Sequence, residues 1–179
     1  MRYLGILAVL FCYIGLFAQT NIISTNPQAG LVLKGNYVPG PGSVIAPSDP
    51  ATMATLLESG ISSDSLKSYI LKLATFKTRN SGSDTISETS GIGAARRWVF
   101  DKFSDISAAN GNRLLPSYLQ FDQDICTVGQ HRNIFAVLPG SDPASGFVLV
   151  EGHIDSRCAV LCDTACLAEG VEDNATGTA

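Results

Sequence analysis

The chain has 179 residues, which is enough for one domain of ordinary size. Its formal net charge of −4 and the lack of a basic stripe with interleaved aromatic residues remove any electrostatic reason to bind nucleic acid. Hydrophobic residues make up 45% of the chain, but much of its positive mean hydropathy comes from the first eighteen residues, so the composition does not indicate a membrane protein.

The first eighteen residues have the pattern of a secretory signal peptide. Arg2 gives a short positive start, an uncharged apolar run extends from Tyr3 to Phe17, and Ala18 is a small residue at its end. The run has fifteen residues, whereas a membrane-spanning helix needs ~20. We therefore expect residues 1–18 to be cleaved and the mature protein to be secreted or periplasmic, without stable membrane insertion. A single membrane anchor is the alternative.

Residues 19–50 are rich in glycine, proline, serine and asparagine, as in "NYVPGPGSVIAPSDP", and they predict an extended lead-in. A first amphipathic helix is predicted in "SSDSLKSYILKLATF", with Ser63 as N-cap. Its apolar residues recur at helical spacing: Leu66, Tyr69, Ile70 and Leu73. The polar stretch that follows, "FKTRNSGSDT", is either a functional loop or an ordinary connection.

A second amphipathic helix is predicted in "TISETSGIGAARRWVFDKF". Thr85 and Glu88 have the spacing of a capping box at its start. Trp98 is expected to pack in the core rather than to bind substrate, and Arg96 is expected to lie off the apolar face. That face is marked by Ile92, Ala95, Val99 and Phe103.

Strand patterns follow the second helix. "SYLQFDQD" predicts an edge or half-exposed strand, and the apolar runs 134–138 and 147–150 predict strands buried on both faces. The short turn between these two runs favours an antiparallel hairpin. His131 precedes the first run and is expected at the surface. Helices together with strands predict an α/β layered domain.

Four cysteines remain after signal cleavage: Cys126, Cys158, Cys162 and Cys166. An even number in an exported chain predicts disulfides, and three connectivities are possible. A cysteine-rich metal knot is the alternative.

The end of the chain gathers side chains that bind metals. His153 follows an apolar run and is expected at the edge of the sheet where α/β proteins bind ligands. Asp155 is placed to hold the second ring nitrogen of a metal-bound His153. Asp173 precedes small residues suited to a tightly packed helix start, and a carboxylate there suits a bridge between two cations. A satisfied structural histidine and a solvated helix cap are the alternatives. The glycosylation sequon at Asn174 is expected to be unused beside such a site.

The ordered motifs "RNIFAVLPGS", "FVLVEGHIDS" and "GVEDNATGTA" follow "LATFKTRNSGSDT" and "GIGAARRWVFDKF". Together they resemble the secreted zinc metallopeptidases that include bacterial leucyl aminopeptidases and glutaminyl cyclases. The resemblance runs from about Leu66 to Ala179. It implies a three-layer α/β/α zinc-peptidase fold with a mixed sheet, of which residues 51–179 would be the N-terminal part of the catalytic domain.

The resemblance also implies a role for each site residue. His153 would be a zinc ligand, Asp173 the carboxylate shared by two zinc ions, and Asp155 the carboxylate that orients His153. The general base and remaining ligands of the family are not found before Ala179, so residues 1–179 alone are expected to be inactive and to bind zinc weakly. A disulfide in the insert between Asp155 and Asp173, reaching Cys126, would brace the site.

The activity implied for the whole enzyme is removal of the N-terminal residue of a peptide or protein substrate by metal-activated water. Glutaminyl cyclisation on the same fold is one alternative. A non-catalytic extracellular binding domain is another.

Overall fold

The computed structural model describes residues 18–39 and 49–179. The predicted signal peptide, apart from Ala18, therefore lies outside the described residues. In chain order the elements are β1 (Thr20–Ser24), α1 (Pro27–Leu33), α2 (Pro50–Gly60), α3 (Ser63–Ala74), α4 (Gly91–Ala109), β2 (Leu115–Ile125) and β3 (Val128–Val137), then a wide turn at Val171–Ala175 and the short helix α5 (Thr176–Thr178). None of the helices in this described part is long and apolar enough to cross a membrane.

The lead-in is more regular than predicted. It contributes β1, which pairs antiparallel with β2, as well as α1 and the start of α2. The side chain of Asn26 caps α1, and Asp49 accepts a hydrogen bond from the Thr52 N–H at 2.9 Å to cap α2. The extended prediction was wrong for the described part of the lead-in, residues 19–39 and 49–50, because proline content was taken as a sign of loop structure. Pro27 and Pro50 each lie in a first helical turn, where proline is tolerated.

The first predicted helix is confirmed as α3, with its cap one residue earlier than expected. Ser62, not Ser63, accepts a hydrogen bond from the Ser65 N–H at 3.2 Å. Its apolar face carries Leu73, which is buried, and the partly buried Ile70.

The capping-box prediction for the second helix was wrong. α4 begins at Gly91, and Thr85 and Glu88 lie in the loop before it. Asp84 organises that loop, because its carboxylate accepts hydrogen bonds from the N–H groups of Ile86 at 2.7 Å and Ser87 at 2.8 Å. A local aspartate turn thus replaces the first helical turn that the pattern indicated.

The described strands form an antiparallel sheet in the order β1-β2-β3. β2 is therefore the central strand of the three, so the edge alternative was wrong. The half-exposed alternative agrees with its mostly intermediate burial. Cys126 and Thr127 connect β2 to β3 with positive φ values of 52° and 69°. Such a two-residue turn matches the twist of a hairpin, so β3 starts at Val128, well before the predicted run 134–138.

The predicted hairpin between 134–138 and 147–150 was wrong. β3 pairs with β2 along its length, and residues 147–150 form no strand. Their side chains are exposed: Phe147, Val148, Leu149 and Val150. The elements are compatible with an α/β class. In the described part, however, the sheet is antiparallel rather than mixed.

The surface prediction for His131 was wrong. His131 is only 2% exposed; its Nε2 lies 2.9 Å from the Val128 carbonyl oxygen, and its ring lies 5.9 Å from that of Phe121. His131 lies within β3, which starts at Val128, rather than before a strand. Arg96 is partly buried between α4 and the sheet, and burial, followed by repulsion from Arg132, lowers its pKa to about 10.

The main apolar cluster lies between α3, α4 and the end of the chain. Its buried members are Leu73, Phe76, Ala94, Ala95 and Ala175. Trp98 and Ile154 pack against this cluster, and Trp98 meets the Tyr69 ring edge to face at 5.7 Å. The packing role of Trp98 is confirmed. Ile154 and Ala175 bring into the core the two segments that carry the candidate site.

The four cysteines form two disulfides, Cys126–Cys162 and Cys158–Cys166. Disulfide formation is therefore confirmed, and one bridge joins the insert to Cys126, as the resemblance implied. Gly82 lies against this bridge, since a Cβ there would be 2.5 Å from the Cys126 Cβ.

The two disulfides should differ in their contribution to stability. The first closes a separation of 36 residues and the second one of 8. In the chain-entropy description, replacing both Cys126 and Cys162 by alanine should lower the free energy of unfolding by roughly 4 kcal/mol. Replacing both Cys158 and Cys166 by alanine should lower it by roughly 2–3 kcal/mol. Urea unfolding measures both losses. A larger loss for the short-range pair would contradict this ranking.

Candidate metal centre

His153 reaches the surface because its neighbour Ile154 points into the core. Ile154 packs against the apolar cluster, and the side chains of His153 and Asp155 on either side of it are 55% and 42% exposed. Both polar groups therefore lie where solvent, ions and substrate can reach them.

Asp173 is presented by the wide turn at Val171–Ala175. Ala175 is fully buried, whereas the Asp173 side chain is 88% exposed. Gly170 begins the turn with φ +55°, and a Cβ there would lie 2.4 Å from the Ser156 Cβ. Only glycine suits that close approach. The Asp173–Asn174 peptide bond is cis.

The structure brings the three predicted site residues together around one imidazole ring. Nδ1 of His153 lies 3.2 Å from Oδ1 of Asp155, and Nε2 lies 3.3 Å from Oδ1 of Asp173. A carboxylate beside Nδ1 fixes the proton of a neutral imidazole on that nitrogen. In a neutral ring protonated at Nδ1, Nε2 carries the lone pair and faces a second acceptor, the Asp173 carboxylate.

Two acceptors at this distance repel each other unless a cation or a proton lies between them. Two donors that bind one tetrahedral zinc at ~2.0–2.2 Å lie about 3.4 Å apart, close to the observed 3.3 Å. Imidazole nitrogen and carboxylate oxygen are donor types that zinc accepts, and their spacing is compatible with a shared ion. A direct contact between a protonated imidazole and a carboxylate has the same spacing. Across the described ranges, no group of three histidine, cysteine or acidic side chains is assembled for a metal, so the fit rests on these two donors.

Hydrogen bonds tie the two site segments to each other. The Thr178 hydroxyl donates to the His153 carbonyl oxygen at 2.8 Å, and the Asn174 side-chain amide approaches the same oxygen at 3.4 Å. The Asn174 side-chain oxygen in turn accepts from the Gly177 N–H at 3.1 Å. Asn174 is therefore engaged within the site; its lack of glycosylation remains a prediction.

The loop 78–83 supports the site, and the sequence left its role open. Arg79 is fully buried, and its guanidinium donates to four backbone carbonyl oxygens: Ile154 at 2.7 Å, Leu73 at 2.9 Å, Glu169 at 2.6 Å and Gly170 at 3.0 Å. Burial lowers the Arg79 pKa, and the charge of Asp155 opposes that shift. The sequence feature that could have indicated this supporting role is an arginine within a run of small polar residues.

The chain is similar to fungal proteins named as probable zinc metalloproteases. One from Pyrenophora teres f. teres is 33% identical over 127 residues, which is 68% of this chain and 27% of that protein. One from Leptosphaeria maculans is 32% identical over 123 residues, covering 66% of this chain and 28% of the relative. One from Pyricularia oryzae is 31% identical over 118 residues, covering 64% of this chain and 24% of the relative.

The chain thus spans about a quarter of the length of the curated relatives it matches. No family model matches the chain, and no solved structure matches it. The similarity to these relatives supports a zinc metallopeptidase family, and it does not distinguish an aminopeptidase from other peptidases.

The close contact between Gly152 and α5 gives a test of the site's packing. A Cβ at Gly152 would lie 2.4 Å from the Gly177 carbonyl oxygen, whereas a Cβ at Gly129 would meet no atom within 4 Å. Gly152→Ala should therefore cost about 1–3 kcal/mol of unfolding free energy, and Gly129→Ala should change it by less than about 0.5 kcal/mol. Denaturant unfolding compares the two. Equal effects would show that the segments are not in contact.

Proposed function

We propose that this chain carries part of the zinc site of a secreted metallopeptidase that removes the N-terminal residue of peptides. The observation that supports the proposal best is the ring of His153, whose Nδ1 faces Asp155 while its Nε2 faces Asp173 at 3.3 Å. The similarity to probable zinc metalloproteases supports the choice of metal and reaction class.

Each of the three residues has a distinct task in the proposed site. His153 supplies an imidazole nitrogen, and Asp155 holds the proton on the other ring nitrogen, which fixes the ring and raises its basicity as a ligand. Asp173 supplies Oδ1 beside His153. Its second carboxylate oxygen suits a second cation, so we propose two zinc ions. Bound zinc would polarise the substrate carbonyl and lower the pKa of a water molecule.

The exposed run at 147–150 supports a larger sheet around this site. Val148 is 91% and Val150 is 89% exposed, although β-branched apolar residues are typical of buried strands. We propose that this run pairs with other strands in a three-layer α/β/α zinc-peptidase fold with a mixed sheet. His153 would then lie just beyond the end of a buried strand, where α/β sheets bind ligands.

The proposal predicts that zinc binding and hydrolysis depend on His153 and Asp173. In the full-length gene product, His153→Ala and Asp173→Asn should each reduce zinc occupancy and lower kcat by at least ~100-fold. The matched control Glu172→Gln changes a neighbouring exposed carboxylate and should leave both unchanged. Metal analysis and hydrolysis of a peptide with a free amino terminus are the measurements.

Two outcomes would contradict parts of the proposal. Wild-type zinc content in His153→Ala would reject the ligand assignment. The contact between His153 and Asp173 in the wild type would then be an ion pair between a protonated imidazole and a carboxylate. Equal cleavage of the free and the N-acetylated peptide would reject the aminopeptidase activity while leaving a zinc peptidase.

A further inference from the structure

Arg79 joins the two segments that carry the proposed zinc donors. Its Nε donates to the Ile154 carbonyl oxygen, between His153 and Asp155. Its Nη1 and Nη2 donate to the carbonyl oxygens of Glu169 and Gly170, just before the turn that carries Asp173. One planar group therefore contacts both halves of the site.

The backbone of Arg79 adds a second connection through Ser156. The Arg79 N–H donates to the Ser156 hydroxyl at 3.0 Å, and that hydroxyl donates to the Ala168 carbonyl oxygen at 2.6 Å. The Ser156 N–H approaches the Arg79 carbonyl oxygen at 3.4 Å. Ser156 is 3% exposed, so this connection is shielded from water.

The chemistry of the guanidinium explains why an arginine lies here. It offers five N–H donors in a rigid plane, and a lysine ammonium offers three donors on one atom. Nε, Nη1 and Nη2 reach carbonyls in three separate segments, including Leu73 at the end of α3. These hydrogen bonds fix the positions of the three segments relative to one plane, which favours a geometric role.

We propose that Arg79 is a positioning residue that sets the separation between His153 Nε2 and Asp173 Oδ1. This inference rests on the proposed function. Residues that orient metal ligands from outside the coordination sphere typically change metal affinity by 10–100-fold when replaced. Arg79 acts through backbone carbonyls next to the donors rather than on the donors themselves.

The test is the zinc affinity of Arg79→Lys in the full-length gene product, measured by competition with a chelator. The affinity should fall at least ~10-fold. Arg97→Lys is the matched control, because Arg97 also donates to three backbone carbonyls, those of Thr85, Ile86 and Ser87, which lie in the loop before α4. Ile92→Ala, at a residue 1% exposed, controls for lost stability. Both controls should retain wild-type zinc affinity.

The outcomes separate this inference from the proposed function. If Arg79→Lys binds zinc with wild-type affinity, and zinc binding still depends on His153 and Asp173, the inference is overturned and the proposed function stands. Zinc that is absent from the wild type, or independent of His153, overturns the proposed function. If Arg79→Lys does not fold, Ser156→Ala becomes the deciding variant. It removes only the hydroxyl that accepts from the Arg79 N–H and donates to the Ala168 carbonyl oxygen. Its zinc affinity should fall severalfold, and an unchanged affinity overturns the inference.

Discussion

The buried guanidinium of Arg79 is the interaction on which the end of the chain depends. Residues 153–156 and 169–173 are not joined by strand pairing, and the described sheet lies in β1, β2 and β3. The two segments instead meet through hydrogen bonds to Arg79 and Ser156. Burying such a charge without its carbonyl partners would be costly, so the loop 78–83 and both site segments must order together.

Local packing then decides which side chains face solvent. Ile154 and Ala175 enter the apolar cluster with Leu73 and Phe76, and this leaves His153 and Asp173 at the surface. The Thr178 hydroxyl and the close approach of Gly152 to Gly177 hold the segments in contact. The placement of His153 and Asp173 therefore follows from apolar burial and backbone hydrogen bonding. The two disulfides engage Cys126, Cys158, Cys162 and Cys166 and leave none of these four as a free thiol.

Some features that depend on local sequence patterns were predicted correctly. Helical periodicity located α3, and the even number of cysteines predicted disulfides. Patterns failed where a competing local interaction was stronger: the Asp84 turn replaced the capping box at Thr85, and the two-residue turn at Cys126 moved the start of β3. The support from Arg79 was not predictable, because its four carbonyl partners are up to 91 residues away in sequence. His153 and Asp173 were named as a pair through family resemblance rather than through spacing alone.

X-ray absorption at the zinc edge of the zinc-loaded full-length gene product tests the central claim most directly. The account predicts a shell of nitrogen and oxygen at ~2.0–2.2 Å that includes imidazole, and no sulfur at ~2.3 Å, because the four cysteines are paired in disulfides. The imidazole contribution should decrease in His153→Ala. A sulfur shell, or an imidazole signal that is unchanged in that variant, would contradict the account.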